Sequence, residues 1–460
     1  MNCTSAPAAG VDPARIATLR AREDAAFRAA RPRSLALLER ARAHMPGGVP
    51  MGWMSALYAH PPIFAAAGDG AWFTDVDGNR YLDMNQADMS MACGYAPPEV
   101  VEAVARRMAS GSQFLLPTED SVAVAEELAR RWSLPFWQFT LSASGANAEV
   151  IRLARHATGR EAILMFDGKY HGHIDDSLVM LVDGEVRPEL AGLPAQAAAR
   201  ARIVPYNDLA AAEAALAARD VAVAIVEPAL TNTGIVLPEP GFLDGLRAAT
   251  RRTGTLLAFD ETHTMVCAPG GLKGVWTLDC DAVAFGKSLG GGVAIGADGV
   301  TPELARHLEE PPALPGAPME SVGGIATGGT LYANALALAA SRAALEHVLT
   351  LDGYARAARL GARLADGLDA IFAETGLPWR AQRLYCRSGF TFAPRLPKTG
   401  AEARALANPE LYHLIRVWLA NRSVWESIAS AGPTVSFAMT DADIDFYLAR
   451  FRELAGELTG

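Results

Sequence analysis

The feature that most constrains the fold is an alternation of short apolar runs with helical stretches between residues 137 and 300. The runs are rich in β-branched and aromatic residues, as strands are. Strands separated by helical stretches predict βαβ units, and hence an α/β fold with a mostly parallel sheet covered on both faces. Seven runs predict the strands of this central sheet: Trp137–Leu141, Ala162–Phe166, Ala201–Pro205, Ala222–Glu227, Thr255–Asp260, Ala282–Gly286 and Val293–Ala297.

Two charged residues fall where such a sheet gathers ligands, at the carboxyl ends of its strands. Lys287 follows one predicted strand and opens a glycine cluster, and Asp260 ends another. A lysine amine held away from bulk water forms a Schiff base with a carbonyl group, and an aspartate keeps a pyridine nitrogen protonated. The pair predicts pyridoxal 5′-phosphate (PLP) as the cofactor, with Lys287 and Asp260 as catalytic residues. A snorkelling lysine near a helix-capping aspartate is the alternative.

A run of small residues, Ser142 to Asn147, follows the first predicted strand and precedes a helix predicted over Ala148–Ala157. Backbone N–H groups at such a turn, together with the positive end of the helix dipole, bind anions. The run therefore predicts a phosphate-binding turn. An ordinary helix N-cap explains the same residues equally well, because serine and asparagine are favoured caps.

Three further residues or motifs are predicted near the same edge of the sheet. Tyr170 follows a strand and is predicted to stack on a planar cofactor, although tyrosine is also common at half-buried strand ends. Glu227 ends a very apolar strand and is costly to bury without a partner; pairing with a surface arginine is its alternative. Gly328-Gly329-Thr330 precedes a long helix, so it either binds a phosphate or caps that helix.

The motif His171-Gly-His173-Ile-Asp175 supports a rival hypothesis, because His-x-His-x-Asp is a spacing seen in dinuclear metallohydrolases. A zinc site needs further ligands from elsewhere in the chain. The other histidines form no second cluster in the sequence. No metal is therefore predicted, and solvated or supporting histidines are the default interpretation.

Bulk properties favour a small-molecule enzyme. The net charge is −10 and no run of five or more basic residues occurs, so nucleic acid is not an expected partner. The sequence has no uncharged apolar stretch of the length that a membrane span requires and no signal-like start. Its five cysteines have no paired spacing, which fits a reducing compartment. We expect a cytoplasmic protein with no membrane contact.

A chain of 460 residues is longer than a single hydrophobic core usually stabilises, so two or more domains are expected. The sequence predicts an N-terminal arm or helix over 1–33 and the first part of a small domain over 34–100, with a hairpin near Asp77-Gly78-Asn79. A large PLP-binding domain follows over 101–334. Residues 335–460 are predicted to complete a smaller α+β domain, with helices and a β-like run from Arg387.

These pieces occur in the order typical of the class III PLP-dependent aminotransferases. This fold-type I group includes ω-aminotransferases and glutamate-1-semialdehyde aminomutase, and the chain resembles it over nearly its whole length. The most specific motifs are Ser-Gly-Ala-Asn-Ala at 144–148, Gly-Lys-Tyr-His-Gly at 168–172, Val-Glu-Pro at 226–228, Phe-Asp-Glu at 259–261, Gly-Lys at 286–287 and Gly-Gly-Thr at 328–330.

The resemblance implies a role for each matching residue. Lys287 would form the Schiff base and move protons, while Asp260 would contact the pyridine nitrogen. Thr330 would reach the phosphate of a partner subunit's cofactor, so a homodimer with shared active sites is implied. The cofactor-binding residues implied in addition are Ser144, Gly145, Ala146, Tyr170, His171, Glu227, Thr262 and His263.

Departures from the family pattern bear on the substrate. Ala146 and Asn147 stand where the family commonly has threonine and glutamate, and Thr262 stands where it has an aliphatic residue. Met54 stands where the aminomutase-like pattern places an arginine that binds the substrate carboxylate. Arg387 is predicted to bind that carboxylate instead, ahead of Arg383 and Arg395, although a solvated arginine is the alternative. The full set of predicted substrate residues is Trp53, Met54, Tyr58, Asn85, Gln86 and Arg387.

The sequence therefore predicts a PLP-dependent aminotransferase that moves an amino group from a small amine or amino acid to a 2-oxo acid. The donor is expected to be aromatic or apolar, or a β- or D-amino acid. An aminomutase or racemase on the same scaffold is the first alternative. A PLP-binding protein without catalytic activity is the second, and a metallohydrolase is the third.

Overall fold

The computed structural model describes residues 9–56, 59–309, 324–427 and 432–460. In this part of the chain the strands are β1 (Ala65–Asp69), β2 (Trp72–Asp75), β3 (Arg80–Asp83), β4 (Phe136–Thr140), β5 (Ala162–Phe166), β6 (Val179–Val182), β7 (Glu185–Pro188), β8 (Ala201–Val204), β9 (Val221–Val226), β10 (Leu256–Asp260), β11 (Ala282–Phe285), β12 (Gly296–Val300), β13 (Arg380–Leu384), β14 (Arg387–Thr391) and β15 (Val424–Trp425).

The helices of the described residues surround these strands. They are α1 (Pro13–Ala29), α2 (Pro32–Arg42), α3 (Gly52–Ala56), α4 (Pro98–Ala109), α5 (Glu119–Trp132), α6 (Ala143–Thr158), α7 (Ala195–Ala199), α8 (Leu209–Leu216), α9 (Phe242–Thr253), α10 (Gly271–Val275), α11 (Pro302–Glu309), α12 (Ala335–Ala343), α13 (Leu351–Thr375), α14 (Gly400–Ala405), α15 (Pro409–Ala420) and α16 (Asp441–Thr459).

The central sheet has seven strands in the order β4-β12-β11-β10-β9-β5-β8. Only β12 runs antiparallel to its neighbours, so the predicted mostly parallel α/β sheet is confirmed. Apolar side chains cover both faces: Val226 of β9 packs in one hydrophobic cluster, and Ile225 packs in another. Strands buried on both faces explain why the sequence shows continuous apolar runs rather than strict alternation.

The last strand of the sheet differs from its prediction. The apolar run Val293–Ala297 predicts a strand, but β12 spans Gly296–Val300. Its two glycines fit close contacts, since a Cβ on Gly296 would lie 2.3 Å from the carbonyl carbon of Ser142, and a Cβ on Gly299 would lie 2.6 Å from the Trp137 ring. Tertiary packing thus selects a segment with weak intrinsic strand propensity.

A second, four-stranded sheet joins distant parts of the chain in the order β1-β2-β3-β15. Leu82 of β3 pairs with Val424 of β15, so residues before the central sheet pack with residues near the end of the chain. This pairing agrees with one small domain built from both ends. The proposed domain boundaries stay a prediction.

The described part of the N-terminal segment forms helices α1 and α2, in agreement with the helix that the sequence predicts as one of two possibilities. Arg31, between them, is 2% exposed and donates hydrogen bonds to the Tyr81 hydroxyl and to the backbone oxygens of Phe27 and Ala420. These contacts attach the segment to the small sheet and to α15.

The C-terminal region packs α13 against α16 and against the hairpin of β13 and β14. The hairpin confirms the β-like run that the sequence predicts from Arg387. In the described residues, none of the helices combines the length and hydropathy needed to cross a membrane.

Candidate active site

A cavity of about 410 Å³ lies at the carboxyl edge of the central sheet. Strand ends, the start of α6 and several loops meet there, as expected for ligand sites in open parallel sheets. The described residues that line it are Trp53, Asp88, Ser90, Leu141, Ser142, Ala143, Ser144, Asn147, Tyr170, His171, Gly172, Glu227, Asp260, Thr262, His263, Lys287, Gly292, Val293, Ala294 and Ile295.

Asp260 ends β10 and is 3% exposed. Its Oδ2 accepts hydrogen bonds from Asn147 Nδ2 at 2.7 Å and from His171 Nδ1 at 2.9 Å, and its Oδ1 accepts one from the Thr262 backbone N–H at 3.0 Å. Burial opposes ionisation, but the bonds from His171 and Thr262 outweigh it and lower the pKa of Asp260. The side chain is therefore held as a carboxylate.

Lys287 follows β11 and begins a short 3₁₀ turn, with a left-handed backbone φ of 42°. Its Nζ donates to Oδ2 of Asp88 at 2.5 Å and to the Asp88 backbone oxygen at 2.9 Å. The amine is thus fixed inside the same cavity as Asp260. This arrangement agrees with the pairing that the sequence predicts.

The predicted phosphate-binding residues occupy the start of α6. Ser142 is the N-cap, and its Oγ accepts from the Gly145 N–H at 3.3 Å. Ser144 lines the cavity, and its Oγ accepts from the His173 N–H at 3.0 Å. Ala146 is fully buried in the hydrophobic core and does not line the cavity. The serine side chains thus serve both as cap and as cavity wall.

A buried chain of hydrogen bonds links Glu227 to His263. The Thr231 hydroxyl donates to Glu227 at 2.8 Å and accepts from His263 Nδ1 at 2.9 Å. The Tyr170 backbone N–H also donates to Glu227, at 3.1 Å. Burial raises the pKa of Glu227 and, with the charges of Lys287 and Arg387, lowers the pKa of His263 well below its usual value. Glu227 is therefore partnered within the site rather than by a surface arginine.

The aromatic ring of Tyr170 is 43% exposed and lines the cavity beside Asp260. Burial, followed by the nearby charge of Asp88, raises the pKa of its hydroxyl. The ring position is compatible with the predicted stacking on a planar cofactor, which stays a prediction.

Sequence reasoning missed two residues of this site. Asp88, the partner of Lys287, lies in no recognised motif. Asn147 was predicted only as part of the phosphate-binding turn and as a departure from the usual glutamate, yet its amide donates to Asp260, which a glutamate carboxylate cannot do. The asparagine in place of the usual glutamate at position 147 was the one sequence signal that could have indicated a contact with Asp260.

The predicted substrate residues are only partly brought together. Trp53 lines the cavity and is 48% exposed, whereas Met54 is exposed outside it. Asn85 and Gln86 are buried and do not line the cavity, and the Gln86 amide donates to the Thr434 backbone oxygen. Tyr58 lies outside the described residues.

The three arginines considered as partners for a substrate carboxylate differ in burial and in the ion pairs that they form. Arg383 pairs with Asp366 and Asp369, and Arg395 pairs with Glu402, at exposed positions. Arg387 is fully buried in β14, which contradicts the solvated alternative, but it does not line the cavity. Burial lowers its pKa against the attraction of Cys267 and Asp88. Its role in carboxylate binding stays a prediction.

Thr330 is exposed and outside the cavity of its own chain, with its backbone oxygen accepting from Gln113 Nε2 at 2.5 Å. His173 and Asp175 are exposed, while His171 is committed to Asp260. Within the described ranges, no group of three or more His, Cys, Asp and Glu side chains is placed to hold a metal ion.

The cavity fits PLP on the chemistry of its own residues. The Asp260 carboxylate has remaining lone pairs for a protonated ring nitrogen, and Lys287 supplies an amine in the same cavity. Buried His171 Nε2 and Asp88 Oδ1 have no hydrogen-bond partner among the described residues, as expected where a polar ligand binds. The start of α6 offers backbone N–H groups to a phosphate.

Comparison with known proteins decides the family. The pattern of the family described as aminotransferase class-III matches residues 54–377. The chain belongs to this family. Its cofactor is PLP, its fold is that of the fold-type I PLP-dependent transferases, and it is an enzyme of this class.

Individual relatives cover almost the whole chain. A glutamate-1-semialdehyde 2,1-aminomutase from Chloroflexus aggregans is 37% identical over 93% of this chain and 98% of its own length. The crystal structure of a glutamate-1-semialdehyde aminomutase from Pseudomonas aeruginosa in complex with PMP is 37% identical, covers 98% of this chain and 100% of that one, and has a TM-score of 0.92. An ω-transaminase from Sphaerobacter thermophilus is 29% identical, with coverage of 93% and 98% and a TM-score of 0.84.

Proposed function

We propose that this chain is an aminomutase, an enzyme that moves an amino group between two carbons of one small molecule, with Lys287 and Asp260 as its catalytic residues. The observation that carries the chemistry is the single cavity that holds the Lys287 amine and the Asp260 carboxylate. The similarity to glutamate-1-semialdehyde aminomutases supports the aminomutase reaction over transfer to a second molecule.

When bound, PLP supplies an aldehyde with which amines condense and a ring that delocalises the electron pair left by a departing proton. Asp260 is proposed to hold the proton of the ring nitrogen, because its carboxylate stays ionised between Asn147 and His171. Lys287 is proposed to bind the cofactor and to move protons at the reacting carbon. Ser144, Gly145 and the start of α6 are proposed to hold the phosphate.

The surrounding residues orient these groups. Tyr170 is proposed to cover one face of the ring, while Thr262 and His171 position Asp260. The chain from His263 through Thr231 to Glu227 forms a fixed wall of the cavity. We infer a cytoplasmic enzyme acting on a small molecule, without nucleic-acid or membrane partners.

An aminotransferase is the second candidate. It is favoured by the cavity lining, in which the described residues include no arginine to fix a substrate carboxylate, and by Met54 in place of the family arginine. In this reaction the amino group would pass from a small donor to a 2-oxo acid.

The test begins with borohydride reduction of the PLP-loaded protein, which should fix the pyridoxyl group on the peptide that carries Lys287. In a separate, unreduced sample of the PLP-loaded protein, glutamate-1-semialdehyde is supplied without any 2-oxo acid. An aminomutase converts it into its amino-shifted isomer under these conditions. Turnover only after a 2-oxo acid is added, with stoichiometric amination of that acid, would establish the aminotransferase instead. Labelling at Lys169 or Lys273 would remove Lys287 from the mechanism.

A further inference from the structure

A separate cavity, of about 260 Å³, lies between the loop that follows β9, the hairpin of β13 and β14, and helices α14 and α15. Among the described residues, it shares no lining residue with the cavity of Lys287. Gln382 of β13 joins two of its walls, because the side-chain amide donates to the Ile235 backbone oxygen at 2.9 Å and accepts from the Ile235 N–H at 3.2 Å. The cavity is therefore enclosed by fixed elements of the fold.

One side of this cavity is aromatic and apolar. The rings of Phe390 and Tyr412 line it and lie against each other, with centroids 6.1 Å apart and planes inclined by 29°. Leu406 and Ala407 add apolar surface. A flat ring packs well against such a wall, through offset or edge contacts. Since a cavity of about 150 Å³ can hold benzene, the space is large enough for one ring with a small substituent.

Two threonine hydroxyls form the polar part of the cavity. The Oγ1 atoms of Thr233 and Thr391 are buried and have no hydrogen-bond partner among the described residues, and Thr391 as a whole is 6% exposed. A buried hydroxyl without a partner is destabilising unless a ligand supplies one. Because a hydroxyl both donates and accepts, a hydroxyl group on the ligand is a matching partner.

The charge of the lining favours an uncharged ligand. Arg404 is the one charged side chain among the described residues that line this cavity, and its Nη2 pairs with Asp167 Oδ2 at 2.6 Å. A carboxylate ligand would have to compete with Asp167 for this cation. An ammonium ligand would gain no anionic partner from these lining residues, so its desolvation would not be offset.

We propose that this cavity is a second ligand site, which binds a small uncharged aromatic molecule that carries one hydroxyl group. The ring of the ligand lies against Phe390 and Tyr412, and its hydroxyl group bonds to Thr391 and Thr233. The proposal concerns binding alone and does not depend on the proposed function. Its occupants are phenols and aromatic alcohols of one ring.

The test compares phenol with toluene, which has a methyl group in place of the hydroxyl. Both probes are titrated into PLP-loaded protein, and binding is followed by ligand-observed NMR. Thr391→Val keeps the size and shape of the side chain but removes its hydroxyl, so it should lower the affinity ratio of phenol to toluene about tenfold, the loss expected for one hydrogen bond. Using the ratio cancels the different hydration of the two probes. Thr233→Val is the second variant and should lower the ratio in the same direction.

A second pair of variants locates the probe. Ala407→Trp should abolish binding of both probes, because the indole ring would fill the cavity that Ala407 lines. Ala405→Trp is the matched control, since Ala405 is exposed at the end of α14 and does not line the cavity. This control should leave both affinities unchanged. A probe bound in the cavity of Lys287 would be insensitive to both tryptophans.

Three results would overturn the proposal. The first is an absence of saturable binding of phenol to the wild type, and the second is undiminished binding to Ala407→Trp. The third is an unchanged affinity ratio in both valine variants. Urea unfolding and the absorbance of bound PLP confirm that each variant is folded. None of these results alters the proposed function, which is tested by turnover.

Discussion

At the scale of single residues, the site depends on how a buried carboxylate is kept charged. Asp260 has three hydrogen-bond donors, from Asn147, His171 and the Thr262 backbone. Each donor stabilises the ionised form more than the protonated form. The cluster therefore holds Asp260 as a carboxylate, as its proposed contact with the ring nitrogen requires.

Replacing Asp260 by asparagine should leave PLP bound but reduce turnover on the order of 100- to 1,000-fold, because a neutral amide cannot hold the ring proton. Absorbance of the loaded protein measures retention, and single-turnover kinetics measure the rate. Asp175→Asn, at an exposed position of the His-x-His-x-Asp motif, is the matched control and should be nearly silent. Near-normal turnover in Asp260→Asn would remove this residue from the mechanism.

The sequence predicted Lys287 and Asp260 because each ends a recognisable strand and carries chemistry that its neighbours do not. Asp88 could not be found in this way. It is brought to Lys287 across 199 positions of sequence by a left-handed turn whose residues have no turn signature. Arg387 was found in the sequence, but its complete burial depends on packing between β14 and the rest of the small domain.

At the scale of elements, strand positions were predictable where apolar runs coincide with strands, as in β5, which spans the predicted Ala162–Phe166. Prediction failed for β12, where the backbone of Ser142 lies close to Gly296 and the ring of Trp137 lies close to Gly299, so that glycine is favoured at both positions. Helix α1 had only weak sequence signals. Its packing depends on residues from the other end of the chain, which no local pattern shows.

The attachment of α1 and α2 gives a stability prediction. Arg31→Ala should lower the free energy of unfolding by about 3 kcal/mol or more, because it leaves the buried Tyr81 hydroxyl and two backbone oxygens without their donor. Urea denaturation measures the change. Arg28→Ala, at an exposed position of α1, is the control and should change stability by about 0.5 kcal/mol or less. Similar values for both variants would show that Arg31 does not anchor the segment.

The same junction gives a pH prediction. His60 packs against Phe27 and Trp425, and its burial lowers its pKa to about 3. The folded pKa is below the unfolded value of about 6.5, so stability is full above pH 6.5 and is lost as the pH falls, while the unfolded histidine takes up a proton.

Between pH 7 and pH 5, the wild type should therefore lose about 2 kcal/mol more stability than His60→Gln, which cannot titrate. Urea unfolding at the two pH values measures this difference. Both proteins contain the same carboxylates, so the contribution of these groups to the pH dependence of stability cancels when the two losses are subtracted. Parallel losses in the two proteins would show that His60 is accessible to protons in the folded state.

At the scale of the whole molecule, an apolar surface adjoins Thr330. Leu115 is 73% exposed and Leu116 is 70% exposed, and neighbouring Gln113 donates to the Thr330 backbone oxygen. Phe114 and Leu331 are also exposed. Contiguous apolar surface of this kind commonly marks an interface, so we propose a homodimer in which Thr330 reaches the cofactor phosphate of the partner.

This proposal predicts complementation between inactive variants. Lys287→Ala and Thr330→Val should each have low activity, and their mixture should recover up to about a quarter of wild-type activity after subunit exchange, because half of the dimers would have one intact site in two. Sedimentation and mixed-dimer assays measure assembly and recovery. No recovery despite verified exchange would place Thr330 in the site of its own subunit.

The pairing of β3 with β15 has a consequence for synthesis of the protein. A ribosome must translate past Trp425 before Leu82 can find its neighbour on the small sheet. Until then a nascent chain exposes the unpaired edge of β3, although the seven strands of the central sheet have all been made once residue 300 has emerged. Synthesis of β15, rather than completion of the central sheet, is therefore the step after which β3 can acquire its native partner.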